Sequence, residues 1–184
     1  MIVDMIIIRC SLLFLLVLAA VSLHAADFTI FGGMQHPGKL TLRSVLDNTT
    51  TIPLDPRNFG TFGIRVSAGR VIGNETTLAY SPNFISSDNS AVILNSNLIV
   101  QAPLDDVRPY ATVGLGTIYI RSDTISALEA VTGGKFAVNY GGGVKFKLAG
   151  PVGGQFDARG YTLTSVQSER FNVLEVSVGI VFSF

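Results

Sequence analysis

A chain of 184 residues with 13 Lys and Arg against 13 Asp and Glu carries no net charge, and no stretch gathers the cations into a basic patch. That balance argues against a nucleic-acid partner. The single cysteine, Cys10, precedes an apolar run near the N-terminus. The chain beyond that run therefore has no disulfide, no thiolate metal site and no cysteine nucleophile. With 19 Gly, 12 Phe and 14% charged residues, the remainder reads as β-rich, poorly charged and of one-domain length.

The N-terminus reads as an export signal. Arg9 is followed by the apolar run SLLFLLVLAAV and then by SLHAAD, where small residues precede the first charge. This is the pattern of a secretory signal peptide, here residues 1–25, with cleavage after Ala25 or Ala26. Met5 is an alternative start that drops Asp4. Cys10 lies ahead of the apolar run and cannot serve as a lipoprotein anchor. Beyond the signal no apolar run reaches the roughly 20 residues of a transmembrane helix, so any membrane passage must be made by strands.

Eight segments alternate with period two, the signature of strands. The first, Asp27 to Gln35, puts Phe28, Ile30 and Met34 on one face. The second, from Phe59, sets Phe62, Ile64, Val66 and Ala68 against Gly63, Arg65, Ser67 and Gly69. In the third, from Glu75, Leu78 and Tyr80 oppose Thr77 and Ala79. The fourth sets Val92, Leu94, Leu98 and Val100 against Asn95, Asn97 and Gln101. The fifth, from Pro109, sets Ala111, Val113, Leu115 and Tyr119 against Thr112, Gly114 and Gly116. The sixth alternates Phe136, Val138, Tyr140, Val144 and Phe146 with Lys135, Asn139, Lys145 and Lys147. The seventh places Gln155, Asp157, Arg159 and Tyr161 on one face. The last, VSVGIVFSF, alternates Val176, Val178, Ile180, Phe182 and Phe184 with Glu175, Ser177, Gly179, Val181 and Ser183.

Faces this apolar need a cover. In a soluble sandwich it is a second sheet; in a transmembrane barrel it is lipid. Charged residues recurring on the opposite face, an even strand number and strands long enough to span favour the barrel. All seven prolines fall in or beside proposed connections, where a missing donor does no damage. Short links are expected near Gly73 and Asn74, around Leu104 to Val107, and at Ala149 to Pro151. Longer ones run from His36 to Asn58, Pro82 to Ser90, Ser122 to Gly134 and Ser165 to Phe171. Short periplasmic turns and longer outer loops put both mature termini in the periplasm. Tyr80, Tyr119 and Phe136 then fall near the outer rim, and Phe28, Phe146, Phe182 and Phe184 near the inner one.

The strings APLDDVRPYATVGLG, NYGGGVKFKL and QFDARGY and the terminal FSF resemble the OmpA-like eight-stranded outer-membrane barrel domains, over the whole mature chain. The resemblance implies an all-β fold: an eight-stranded antiparallel transmembrane up-and-down barrel over residues 26–184, preceded by the cleaved signal peptide. It also implies that Val176, Val178, Ile180, Phe182 and Phe184 form the segment read by the barrel-assembly machinery. Outer-membrane lipid and lipopolysaccharide are the expected surroundings, with a ligand of the outer loops left open. Because the chain ends at the barrel, no peptidoglycan-binding domain is expected in cis.

Catalytic patterns are weak. His36, the only histidine past the signal, would need a nucleophile or a carboxylate such as Asp47, Asp88 or Asp123 across the barrel mouth. A plain loop histidine is the simpler account. Asp105 and Asp106 read as a solvated turn. Gly134 and Lys135 imitate the end of a phosphate loop, but Glu129 replaces the first glycine and Phe136 the magnesium-binding hydroxyl. Gly141 to Gly143 fit relief of crowding inside a narrow barrel. No cofactor or metal site is expected. The inward face instead gathers Arg65, Asn97, Lys145, Asp157, Arg159 and Glu175, either a salt-bridged plug or a gated polar path. An eight-stranded barrel is just wide enough for side chains to fill it, which favours the plug. The expected role is a structural anchor that displays outer loops. A narrow gated pore is the alternative, and a lipid-modifying or proteolytic enzyme the third reading.

Overall fold

In the computed structural model, residues 26–38, 40–43, 51–54, 57–84, 89–122, 133–166 and 169–184 are described, so the proposed signal segment lies outside the described residues. Ten strands form: β1 (Ala26–Pro37), β2 (Leu40–Arg43), β3 (Thr51–Leu54), β4 (Phe59–Ala68), β5 (Ile72–Pro82), β6 (Asn89–Gln101), β7 (Val107–Ser122), β8 (Gly133–Ala149), β9 (Val152–Val166) and β10 (Glu169–Ser183). Eight of them close into an antiparallel barrel in the order β1-β10-β9-β8-β7-β6-β5-β4. The seam is the pairing of the first strand with the last, Phe28 opposite Phe182 and Met34 opposite Val176. Phe184 lies one residue past β10, and its N–H still donates to the Ala26 carbonyl at 2.9 Å.

The period-two pattern decides which face is which. Ile30, Leu98, Leu115, Val178 and Ile180 are each more than half exposed, while Thr29, Asn97, Thr112, Ser177 and Val181 between them are buried. The sheet thus turns its apolar side outward and its polar side inward, the inverse of a soluble protein, and closure leaves no free edge in the barrel. No helix among the described residues is long and apolar enough to cross a membrane.

Three details differ from the sequence expectation. The first short link lies at residues 69–71, and Gly73 and Asn74 belong to β5. The chain reverses at Gly69, whose φ of +119° suits glycine. A Cβ on Gly69 would meet the Gly73 Cα at 2.5 Å, so both glycines serve one close approach. The first long connection also carries the β2–β3 hairpin, with Leu40 opposite Leu54 and Leu42 opposite Ile52. Finally, β9 extends to Val166 and β10 begins at Glu169, so their link is far shorter than the long loop expected there.

The short links, Ala26 and Phe184 lie at one end of the barrel, the turn end; the other connections start and finish at the loop end. The loop-end interior is mainly apolar, with Thr61, Ser81 and Asn89 buried among it. Phe59, Phe84, Ile93, Ile118, Ile120, Leu163 and Val173 pack there with at most 5% exposure, and the Phe59 and Phe84 rings meet edge-on at 5.0 Å. Polar side chains fill most of the rest, together with Phe31, Ile99 and Val181.

Candidate functional site

Inward positions of seven strands meet below that apolar layer. Arg65 on β4 reaches β10, where Nη2 donates to Glu175 Oε1 at 2.8 Å and to Ser177 Oγ at 3.1 Å. It lies 3.5 Å from Asp157 Oδ1 on β9, and its guanidinium stacks 3.7 Å above the Phe31 ring. Glu175 also accepts from Gln35 Nε2 at 2.6 Å. Arg159 on β9 crosses the lumen to β5, donating from Nη1 to Glu75 Oε1 at 2.6 Å. On its own strand it grips Asp157 twice, from Nε at 2.6 Å and from Nη2 at 3.0 Å. Asn97 Nδ2 completes Glu75 at 3.1 Å. The Tyr110 hydroxyl donates to Asp157 and accepts from Gln155.

Nearer the turn end a second cluster closes the seam. Lys145 Nζ donates to Asp27 Oδ2 at 2.8 Å and to Ser67 Oγ at 2.9 Å. Ser183 Oγ donates to Asp27 Oδ1 at 2.6 Å, and Arg108 Nη2 stands 3.5 Å from the same carboxylate. A cavity of about 380 Å³ opens below, bordered by Arg70, Arg108, Lys147 and Phe184.

The network is charge-neutral. Carboxylates Asp27, Glu75, Asp157 and Glu175 face cations Arg65, Arg108, Lys145 and Arg159, and all but Arg108 are buried. Burying an ion away from water is tolerated only when a partner and hydrogen bonds replace its hydration. Glycines make the room. A Cβ on Gly141 would sit 2.9 Å from Arg159 Cγ, and one on Gly143 2.7 Å from the Tyr110 hydroxyl. The glycine run on β8 is therefore the space that the arginine and the tyrosine occupy.

All six polar residues expected in the lumen point inward, and the structure brings them into these two clusters. The ion pairs form across the lumen or along one strand, however, and not between register neighbours: Arg159 sits opposite Glu175 on the adjoining strand yet bonds Glu75 across the lumen and Asp157 on its own strand. Asp27, Gln35, Glu75, Arg108 and Tyr110 join them beyond the sequence expectation. Parity is the signal that could have found them, since Glu75 continues the inward series of Thr77 and Ala79, and Asp27 that of Thr29. The outward set Val176, Val178, Ile180 and Phe184 is exposed as expected, with Phe182 intermediate beside Phe28.

His36 is exposed at the loop end, its Nδ1 2.7 Å from Asn58 Oδ1. Asp47, Asp88 and Asp123 lie outside the described residues. Among the described residues no three His, Cys, Asp or Glu side chains group as metal ligands.

The family described as "outer membrane protein beta-barrel domain" matches residues 13–184. No curated protein sequence matches the chain. Among solved structures, Neisserial surface protein A superposes with a TM-score of 0.66 at 12% identity, over 88% of this chain and 99% of that one. The N-terminal barrel of Pseudomonas aeruginosa OprF gives 0.52 at 15% identity, over 86% and 97%. The outer-membrane enzyme PagL gives 0.52 at 11% identity, over 85% and 98%.

Proposed function

Because this chain belongs to the outer membrane protein β-barrel domain family, we propose that it is a structural protein of the outer membrane. Its closed barrel anchors and displays the loop-end connections, supporting envelope integrity or surface contact. The observation that carries this reading is an interior blocked twice: a neutral, hydrogen-bonded ion network in the middle and an apolar layer at the loop end. An ion entering from the turn end would have to break buried pairs and then cross a layer lined mainly by apolar side chains, which is costly on both counts. In this reading the turn end and both mature termini face the periplasm, lipid and lipopolysaccharide surround the outer face, and the barrel-assembly machinery reads the strand ending in Phe184. Planar-bilayer recording of the wild-type protein is the test. No conductance steps are expected, and a reproducible single-channel current would refute the anchor.

A narrow gated pore is the second reading, and one observation favours it. The side chains of Thr77, Asn95, Thr112 and Asn139 are buried, and their polar side-chain atoms make no hydrogen bond within the described residues. Groups of this kind are ordinarily satisfied by internal water, so a hydrated seam beside the ion network is the route a pore would use. A current altered by Asn139→Leu would support it. The shared fold with PagL keeps a lipid-modifying or proteolytic enzyme as the third reading. A turnover assay on lipid A and on peptides, with His36→Ala as the comparison, would have to show activity lost in the variant.

A further inference from the structure

We propose that the outer wall formed by β5 and β6 is the contact surface for a second copy of this chain within the membrane. Outward positions elsewhere at middle height are apolar apart from Thr117: Ile30, Ile64, Leu115, Phe156, Val176 and Val178 all point away from the barrel. On β5 and β6 the series breaks. Asn74 and Thr76 on β5 point outward, as does Ser96 on β6, directly opposite Thr76 in the register. Asn74 Nδ2 reaches Ser96 Oγ at 3.3 Å, so the three side chains form one continuous polar patch. It runs from near the turn end to the centre of β6. Other outward polar groups differ in kind. Thr162 donates to Asn172 at 2.8 Å near the loop end, and Thr117 stands singly between Leu94 and Phe136.

Lipid offers no partner for such a patch, and in transmembrane proteins polar and small side chains on an outer face mark where another protein packs. The patch is self-complementary. After its bond to Ser96, Asn74 retains one amide N–H and its carbonyl oxygen, the two groups that pair reciprocally with the same amide across a two-fold axis. The Ser96 and Thr76 hydroxyls likewise both donate and accept. A two-fold axis along the membrane normal places equal depths opposite one another, so Ser96 meets Ser96 and Asn74 meets Asn74, as an isologous contact requires. Leu78, Leu94, Leu98 and Val100 flank the patch with apolar surface.

Cysteine cross-linking in native membranes tests this, in a Cys10→Ser background that leaves no other thiol. Oxidation of Ser96→Cys is expected to give a disulfide dimer of twice the monomer mass. Val178→Cys and Phe156→Cys, on the opposite wall, are expected to stay monomeric. Adding Asn74→Leu and Thr76→Val to Ser96→Cys should lower the dimer yield at least tenfold. Heat-dependent migration of each variant on gels, retained throughout, shows that its barrel has folded. No dimer from folded Ser96→Cys, an equal yield from the opposite-wall cysteines, or a yield untouched by the added substitutions would each overturn the proposal.

Discussion

Replacing Arg159 by Met keeps most of the side-chain volume and removes only the charge and its donors, so the variant isolates the electrostatic role of the residue. Three charge-assisted bonds at 2.6, 2.6 and 3.0 Å disappear. The two carboxylates left behind fare differently. Asp157 keeps the Tyr110 hydroxyl and the Arg65 guanidinium at 3.5 Å. Glu75, only 1% exposed, keeps Asn97 as its one side-chain hydrogen-bond partner among the described residues. Stranding one partner of a buried pair costs about 3 to 5 kcal/mol, and Glu75 should bear most of it. With a urea m-value of about 2 kcal/mol/M, the unfolding midpoint should fall by roughly 2 M. The chain has no tryptophan, so the folded fraction is best followed by gel migration of unheated samples and by circular dichroism. The double variant Arg159→Met with Glu75→Gln should recover at least half of the loss, because no uncompensated carboxylate then remains beside Asn97. A midpoint that moves by less than about 0.5 M in the single variant would mean that water screens the lumen, and the ion network would then be no plug.

Gly141→Ala should destabilise the barrel by about 1 to 3 kcal/mol, as overpacking does, since its Cβ would lie 2.3 Å from the Ala158 carbonyl oxygen. Gly60→Ala, with open space around the added methyl, should be tolerated in the same urea titration. Deleting Phe184, or placing Ser at both 182 and 184, should abolish outer-membrane insertion while export continues. Normal levels of either variant in outer-membrane fractions would count against the role assigned to the terminal strand.

The strands are legible in the sequence because lipid replaces the protein core. Every outward position must then be tolerable to hydrocarbon, while every inward one faces a narrow polar space, which sharpens the alternation beyond that of most soluble sheets. Strand ends are less legible for the same reason, since the alternation only fades where the membrane stops. Gly73 and Asn74 look like a turn, yet the chain reverses at Gly69, where the backbone requires φ of +119°. The β2–β3 hairpin leaves little trace in the sequence because its strands are four residues each and Pro53 lies within one of them.

Parity tells which side chains enter the lumen but not which of them meet. Arg159 and Glu75 are 84 residues apart on strands that are not paired in the barrel. Their contact depends on the tilt and stagger with which the barrel closes, a property of the whole sheet and of no local segment. Composition nonetheless constrains the outcome. Once Arg65, Lys145 and Arg159 are placed inside, desolvation demands about as many carboxylates within reach. Asp157 and Glu175 are too few; the inward acids Asp27 and Glu75 supply the rest, and with Arg108 beside Asp27 the balance is four against four. Ile93, Ile118, Ile120 and Leu163 occupy inward positions on the loop-end side of the buried ion pairs and pack with Phe59, Phe84 and Val173. With mostly apolar side chains, the layer shields the ion pairs beneath it from the solvent at the loop end, and shielding from that side strengthens every one of them.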